Sequence, residues 1–181
     1  MASGTHILLI TGSTRSGSTN TAALRTAVEV APDGVSTRLH DGLAELPAFN
    51  PDDDRDPLPA SVADLRDRLA AADAVLVCTP EYAGALPGSF KNLLDWAVGG
   101  TGFNGKPTAW INAAAAGRGA QAHASLAVVL GYLDAAVVEE ACRDLPVGRD
   151  TIGPDGTITD PAVRAGIAEV LTALHRAASG G

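Results

Sequence analysis

The stretch Ile7-Leu-Leu-Ile-Thr11, running straight into Gly12-Ser-Thr-Arg-Ser-Gly-Ser-Thr-Asn20, decides how this chain is read. An unbroken apolar run of this length describes a strand buried on both faces, as in a parallel sheet. Gly12 ends the strand, and Ser18 and Asn20 offer caps for a helix over Thr21–Val30. Strand, glycine-containing turn and helix together make half of a βαβ unit.

The same alternation repeats outward from there. Pro32-Asp-Gly34 breaks the first helix, Val35–Leu39 forms a second strand, and His40–Leu58 is a long loop of turn residues. Ser61–Ala72 is a helix, Ala74–Cys78 a strand, and Ser89–Trp96 a helix with Phe90, Leu93, Leu94 and Ala97 on one face. Thr108–Ala113 is a strand, Gln121–Leu133 a helix and Ala135–Glu139 the fifth strand. Leu145–Gly156, rich in Gly, Pro and Asp, reads as mobile. Asp160 and Pro161 then open a last helix to about Ala178, with the cap preceding the proline. The order βαβαβαβαβα predicts an α/β fold: a flavodoxin-like, doubly wound sheet of five parallel strands with helices on both faces. Ligands of such sheets sit beyond the carboxyl ends of the strands, which directs attention to the loops after the first, third and fourth.

With 181 residues, the expectation is one domain over residues 1–181. Apolar residues at 46% set aside a disordered chain. The net charge of −8 sets aside nucleic acid and anionic membrane as partners of the overall field. Cys78 and Cys142 are the only cysteines, in no CxxC pair, which excludes a disulfide framework or zinc cluster and fits a reducing compartment. Met1–Ile10 lacks the basic region of a signal peptide, and Leu126–Val138 is too short to span a bilayer. The expectation is a soluble, cytoplasmic protein.

Gly12–Asn20 crowds phosphate-binding groups at a helix N-terminus, where free N–H groups and the helix dipole favour an anion. Ser13, Ser18, Thr19 and Asn20 can donate hydrogen bonds, and Arg15 can add a charge-assisted one. The loop approaches a Walker A sequence but has Ser18 where the lysine belongs, so nucleotide hydrolysis is disfavoured. A low-molecular-weight phosphatase would need a cysteine in this loop, and there is none. In the third loop, Thr79-Pro-Glu-Tyr-Ala-Gly-Ala-Leu-Pro-Gly88 is stiffened by two prolines and offers backbone amides to a flat ligand edge. In the fourth, Gly117-Arg-Gly-Ala-Gln-Ala122 matches G-x-G-x-x-A with Glu139 downstream, so a Rossmann-type site competes with a simpler role in closing the pocket. Asp52–Asp56 lacks the glycine and glutamate of a calcium loop, the four histidines have no metal spacing, and no metal site is expected. Cys78 reads as inert packing.

Gly12-Ser-x-Arg-x-x-Ser-x-Asn20, together with Pro80-Glu-Tyr82, Pro87-Gly88, Lys91-Asn92 and Asp95-Trp96, resembles the NADPH-dependent FMN reductase family. Quinone, azo-dye and chromate reductases of flavodoxin-like fold belong to that family. The resemblance runs from about His6 to Val138. It implies that Ser13, Arg15, Ser18, Thr19 and Asn20 hold the FMN phosphate. It implies that Pro80, Glu81, Tyr82, Ala83 and Gly84 line the isoalloxazine, largely through backbone; in the fourth loop Gly117, Arg118 and Gly119, with Ala115, are expected to close one side of the flavin pocket, Arg118 also meeting the phosphates of NADPH. Glu81 and Tyr82 are the side chains placed to orient substrate.

The resemblance further implies FMN as cofactor and NADPH (or NADH) as co-substrate, with hydride passed to flavin N5 and on to a quinone or similar small acceptor in a ping-pong cycle. It also implies a homodimer or homotetramer built through the helix bearing Lys91, Asp95 and Trp96. The chain departs from the family at Ala83, where Asn is usual, and at Ala113–Ala116, where Ser and Gly are usual. A flavodoxin-like electron carrier and a flavin-free interaction domain are the alternatives.

Overall fold

The computed structural model describes residues 4–180. Of the stretch read for a leader, residues 1–3 lie outside the described residues. Five strands, β1 (Thr5–Thr11), β2 (Val35–His40), β3 (Ala74–Cys78), β4 (Pro107–Asn112) and β5 (Ala136–Val137), pair in parallel in the order β2-β1-β3-β4-β5. That is the doubly wound, flavodoxin-like order, and its direction reverses between β1 and β3. Helices α1 (Thr19–Glu29) and α5 (Pro161–Ala178) cover one face; α2 (Ala60–Ala71), α3 (Gly88–Val98) and α4 (Ala120–Tyr132) cover the other.

The period-two geometry of β1 explains its composition. Ile7 and Leu9 pack under α1 and α5, whereas Leu8 and Ile10 pack under α2, α3 and α4. All four are fully buried, so no position between Ile7 and Ile10 tolerates a polar side chain. Helix ends follow local chemistry. Ser18 caps α1 by accepting from Asn20 N, and Asp160 caps α5 by accepting from Ala162 N and Val163 N ahead of Pro161. Observed helix bounds differ from the expected ones by at most two residues.

Two expectations are corrected. The fifth strand does not run over Ala135–Glu139: β5 stops at Val137, and a 3-10 turn over Glu139–Ala141 leads to β6 (Arg143–Asp144). β5 pairs with the start of β4, and β6 takes up its end, Asn112 opposite Asp144. A continuous strand here would turn Glu139 or Glu140 toward a helix-covered face, while the turn keeps both exposed and buries Ala141.

Leu145–Gly156 is pinned rather than mobile. Leu145 N donates to Asn112 O at 2.9 Å, Val147 N to Ala113 O at 3.2 Å, and Thr159 N to Thr151 O at 2.8 Å. The segment then folds back through an Ile152–Ile158 bridge.

Trp96 points inward from α3. It is fully buried, its Nε1 donates to Pro47 O at 2.8 Å, and its ring meets Phe49 edge-on at 4.9 Å. It fastens the His40–Leu58 loop. Lys91 and Asp95 pair with each other along α3. Among the described residues no helix is long and apolar enough to cross a membrane.

Candidate functional site

The loops after β1, β3 and β4 meet where the strand order reverses. Their contact is close: Gly12 N donates to Cys78 O at 2.8 Å, and a Cβ on Gly12 would lie 2.1 Å from Thr79 Oγ1. Only glycine lets the first and third loops touch here. Together with the start of α4 they enclose an open cavity of about 380 Å³, lined by Thr19, Asn20, Pro80, Glu81, Ala114, Ala115, Arg118 and Gly119.

Thr19, Asn20, Pro80, Glu81, Ala115 and Arg118 are therefore brought together as the sequence implies. Ser13 and Ser18 are buried beside it and shape the first loop: Ser13 Oγ accepts from Arg15 N at 3.3 Å, and Ser18 Oγ from Asn20 N at 3.2 Å. Arg15 and Ser18 line a smaller neighbouring cavity of about 90 Å³ with Arg25 and Ile152. Among the described residues, the N–H groups of Thr14, Ser16 and Gly17 have no protein acceptor. Donors left open at a helix N-terminus suit an anion.

Tyr82, Ala83, Gly84 and Gly117 do not line the main cavity. Tyr82 and Ala85 exchange both backbone bonds at 3.1 Å around a two-residue turn, with Ala83 at φ 50° and Gly84 at φ 72°. Tyr82 stands on this turn with 55% of its surface exposed. Glu81 reaches across: its carboxylate accepts from Gln121 N at 2.9 Å and Ala122 N at 3.1 Å, capping α4. In the fourth loop the left-handed positions fall on Gly117 and Gly119, and Ala113–Ala116 carry no such strain.

Three neighbours went unrecognised in the sequence. Cys78 lies beneath the cavity, where its thiol donates to Asn20 Oδ1 at 3.3 Å. Burial pushes its pKa up to about 12, which removes it as a nucleophile. His123 bonds Gly119 O through Nδ1 at 2.8 Å and stacks on Trp110 at 5.9 Å; burial lowers its pKa. Asn112 ties the fourth loop down. For Cys78 and Asn112 the available signal was their place at the end of an apolar strand; His123, inside α4, gave none. Among the described residues no group of His, Cys, Asp and Glu is arranged to hold a metal.

Fold and site together define a flavodoxin-like α/β protein with an open cavity at the switch point of its sheet. The profile of the family described as NADPH-dependent FMN reductase matches residues 5–144. The chain is 34% identical, over 97% of its length and 96% of the other's, to an NAD(P)H-dependent FMN reductase of Pseudomonas aeruginosa. It is 30% identical to a quinone reductase of Escherichia coli over 77% of each chain. Among solved structures, the flavoenzyme NAD(P)H:acceptor oxidoreductase of Paracoccus denitrificans superposes with a TM-score of 0.78 at 27% identity, covering 97% of this chain and 98% of that one. The chain belongs to the NADPH-dependent FMN reductase family: it is an FMN-dependent, NAD(P)H-linked oxidoreductase.

Proposed function

We propose that this protein reduces quinones, flavins or similar small acceptors with NAD(P)H in a ping-pong cycle at one site. The observation that carries this reading is the cavity itself. At one end Thr19 and Asn20 lead to the neighbouring first loop, whose open N–H donors, hydroxyls and Arg15 suit a phosphate, while Pro80, Ala114 and Ala115 give the remainder apolar walls for a ring system. Bound FMN supplies the two-electron chemistry. The chain's own work is to bind and orient. Ser13, Arg15, Ser18, Thr19 and Asn20 hold the phosphate, and the backbone of Pro80–Gly84 borders the ring.

Tyr82 orients the acceptor at the rim. Glu81 acts through the α4 N-terminus, which its carboxylate fixes beside the cavity. Arg118 closes the far side and meets the phosphates of NADPH, and Gly117, at φ 75°, shapes the loop beside it. Two substrates that use this cavity in turn fit such a cycle. Parallel initial-velocity lines on varying NADPH and a quinone are expected; intersecting lines refute the one-site cycle. Direct NADPH oxidation by the flavin-loaded chain separates the reductase from a carrier that needs its own reductase.

A cytoplasmic homodimer or homotetramer is part of the proposal, with Lys91 and Asp95 of α3 near the contact. Helix α4 adds support, because it carries no charged residue and leaves Val128 and Tyr132, one turn apart, 62% and 87% exposed. Light scattering that reports a monomer at micromolar concentration rejects the assembly.

A further inference from the structure

We propose that Asn112, braced by Asp144, is a positioning residue that holds the Ala113–Gly119 loop in the shape that receives the flavin. The proposal rests on the reading of the cavity as the FMN site.

Ala113–Ala116 have no side-chain atoms that donate or accept hydrogen bonds, so this loop cannot brace itself as the first loop does through Thr11, Ser13 and Ser18. Asn112, the last residue of β4, supplies the missing bonds from below. Its Nδ2 donates to Arg118 O at 2.7 Å and to Asp144 Oδ1 at 2.8 Å, and its Oδ1 accepts from Ala114 N at 3.1 Å. Both amide hydrogens meet pure acceptors and the amide oxygen meets a donor, so chemistry fixes the orientation of the group. The side chain is 6% exposed, and a Cβ on Gly119 would lie 2.5 Å from Asn112 Oδ1. The loop therefore rests on the amide with no slack.

Asn112 grips both ends of the loop, at Ala114 and Arg118, and these residues with Ala115 and Gly119 line the cavity. Asp144 reaches this position because β6 pairs beside the end of β4. A buried amide of this kind transmits the position of one element to another, as a supporting shell does for any preorganised site.

The test is FMN titration of the full-length chain by quenching of flavin fluorescence, with far-UV circular dichroism and Tm measured alongside. Asn112→Asp keeps size and the bond from Ala114 N but sets a carboxylate against Arg118 O and Asp144. It is expected to weaken FMN binding about tenfold, as a lost charge-assisted network does. Asn112→Asp combined with Asp144→Asn removes the repulsion between carboxylates and is expected to recover part of that loss. Asp144→Ala, at an exposed position that leaves the core intact, keeps the test available if Asn112→Asp does not fold, and is expected to weaken FMN binding about threefold. Wild-type affinity in a folded Asn112→Asp or Asp144→Ala chain, or no recovery in the double variant, overturns the proposal. A wild-type chain that binds no FMN overturns the reading of the cavity, a distinguishable failure that removes this proposal with it.

Discussion

The thiol of Cys78 donates a hydrogen bond to the side-chain carbonyl of Asn20 across 3.3 Å, joining the end of β3 to the first turn of α1 beneath the cavity. This bond turns the Asn20 Nδ2 away from the sulfur, and Ser18 Oγ lies 3.5 Å from it. Cys78→Ser keeps a donor and is expected to hold FMN, whereas Cys78→Val frees the Asn20 amide and is expected to weaken FMN binding by a few-fold, about 1 kcal/mol. Equal affinity in the two variants would deny Cys78 any part in the site. The buried thiol, raised to about 12, should also resist iodoacetamide at pH 8 in the native protein, and mass spectrometry would detect the adduct if it does not.

Arg15 is exposed on the first loop and supplies the only guanidinium of Gly12–Asn20. Arg15→Ala is expected to purify as a folded protein depleted of flavin. Full flavin content in its visible spectrum counts against the phosphate assignment.

The cap that Glu81 places on α4 predicts a stability effect. Glu81→Ala leaves Gln121 N and Ala122 N without their acceptor and should cost about 1 kcal/mol, or about 3 °C in Tm. Glu81→Gln retains an acceptor and should lose less. Identical Tm values for both variants and the wild type would show the cap to be energetically silent.

Ala83 sits at φ 50° beside Gly84 at φ 72°, in the kind of turn that Asn-Gly fills best. A side chain with a Cβ is disfavoured there, and Asn tolerates the conformation better than Ala. Ala83→Asn is expected to raise stability by about 0.5 kcal/mol in urea unfolding, within the range seen for left-handed positions. A lower unfolding midpoint would mean that this turn does not set the local energetics.

His40 and His123 predict the pH dependence of stability. His40 is 2% exposed, neither ring nitrogen has a partner among the described residues, and burial lowers its pKa, reinforced by the Arg68 charge. Burial lowers that of His123 as well. Below the ordinary value of 6.5 the unfolded chain takes up protons that the folded chain refuses. Stability therefore falls as pH drops from 6.5 toward the lowered folded values. His40→Leu, with nothing to protonate, should flatten part of that slope; an unchanged slope would assign the effect elsewhere.

The order of elements, the parallel sheet and the three loops that meet at the site were legible in the sequence. Each rests on local chemistry: unbroken apolar runs such as Ile7–Ile10 can only be buried on both faces, and Gly12, Ser18 and Asp160 punctuate the chain wherever they fall. The resemblance carried by Gly12–Asn20 and Pro80–Tyr82 added the cofactor. Tertiary structure alone decided what residues distant in sequence do to one another. It buried Trp96 under the His40–Leu58 loop, broke the fifth strand so that two glutamates could stay in water, and pinned Leu145–Gly156 to the end of β4. It also set Asp144 behind Asn112, Glu81 on α4 and Cys78 against Asn20. These pairings are 32, 40 and 58 residues apart, and nothing in local propensity or spacing reports a contact that only the folding of the sheet creates.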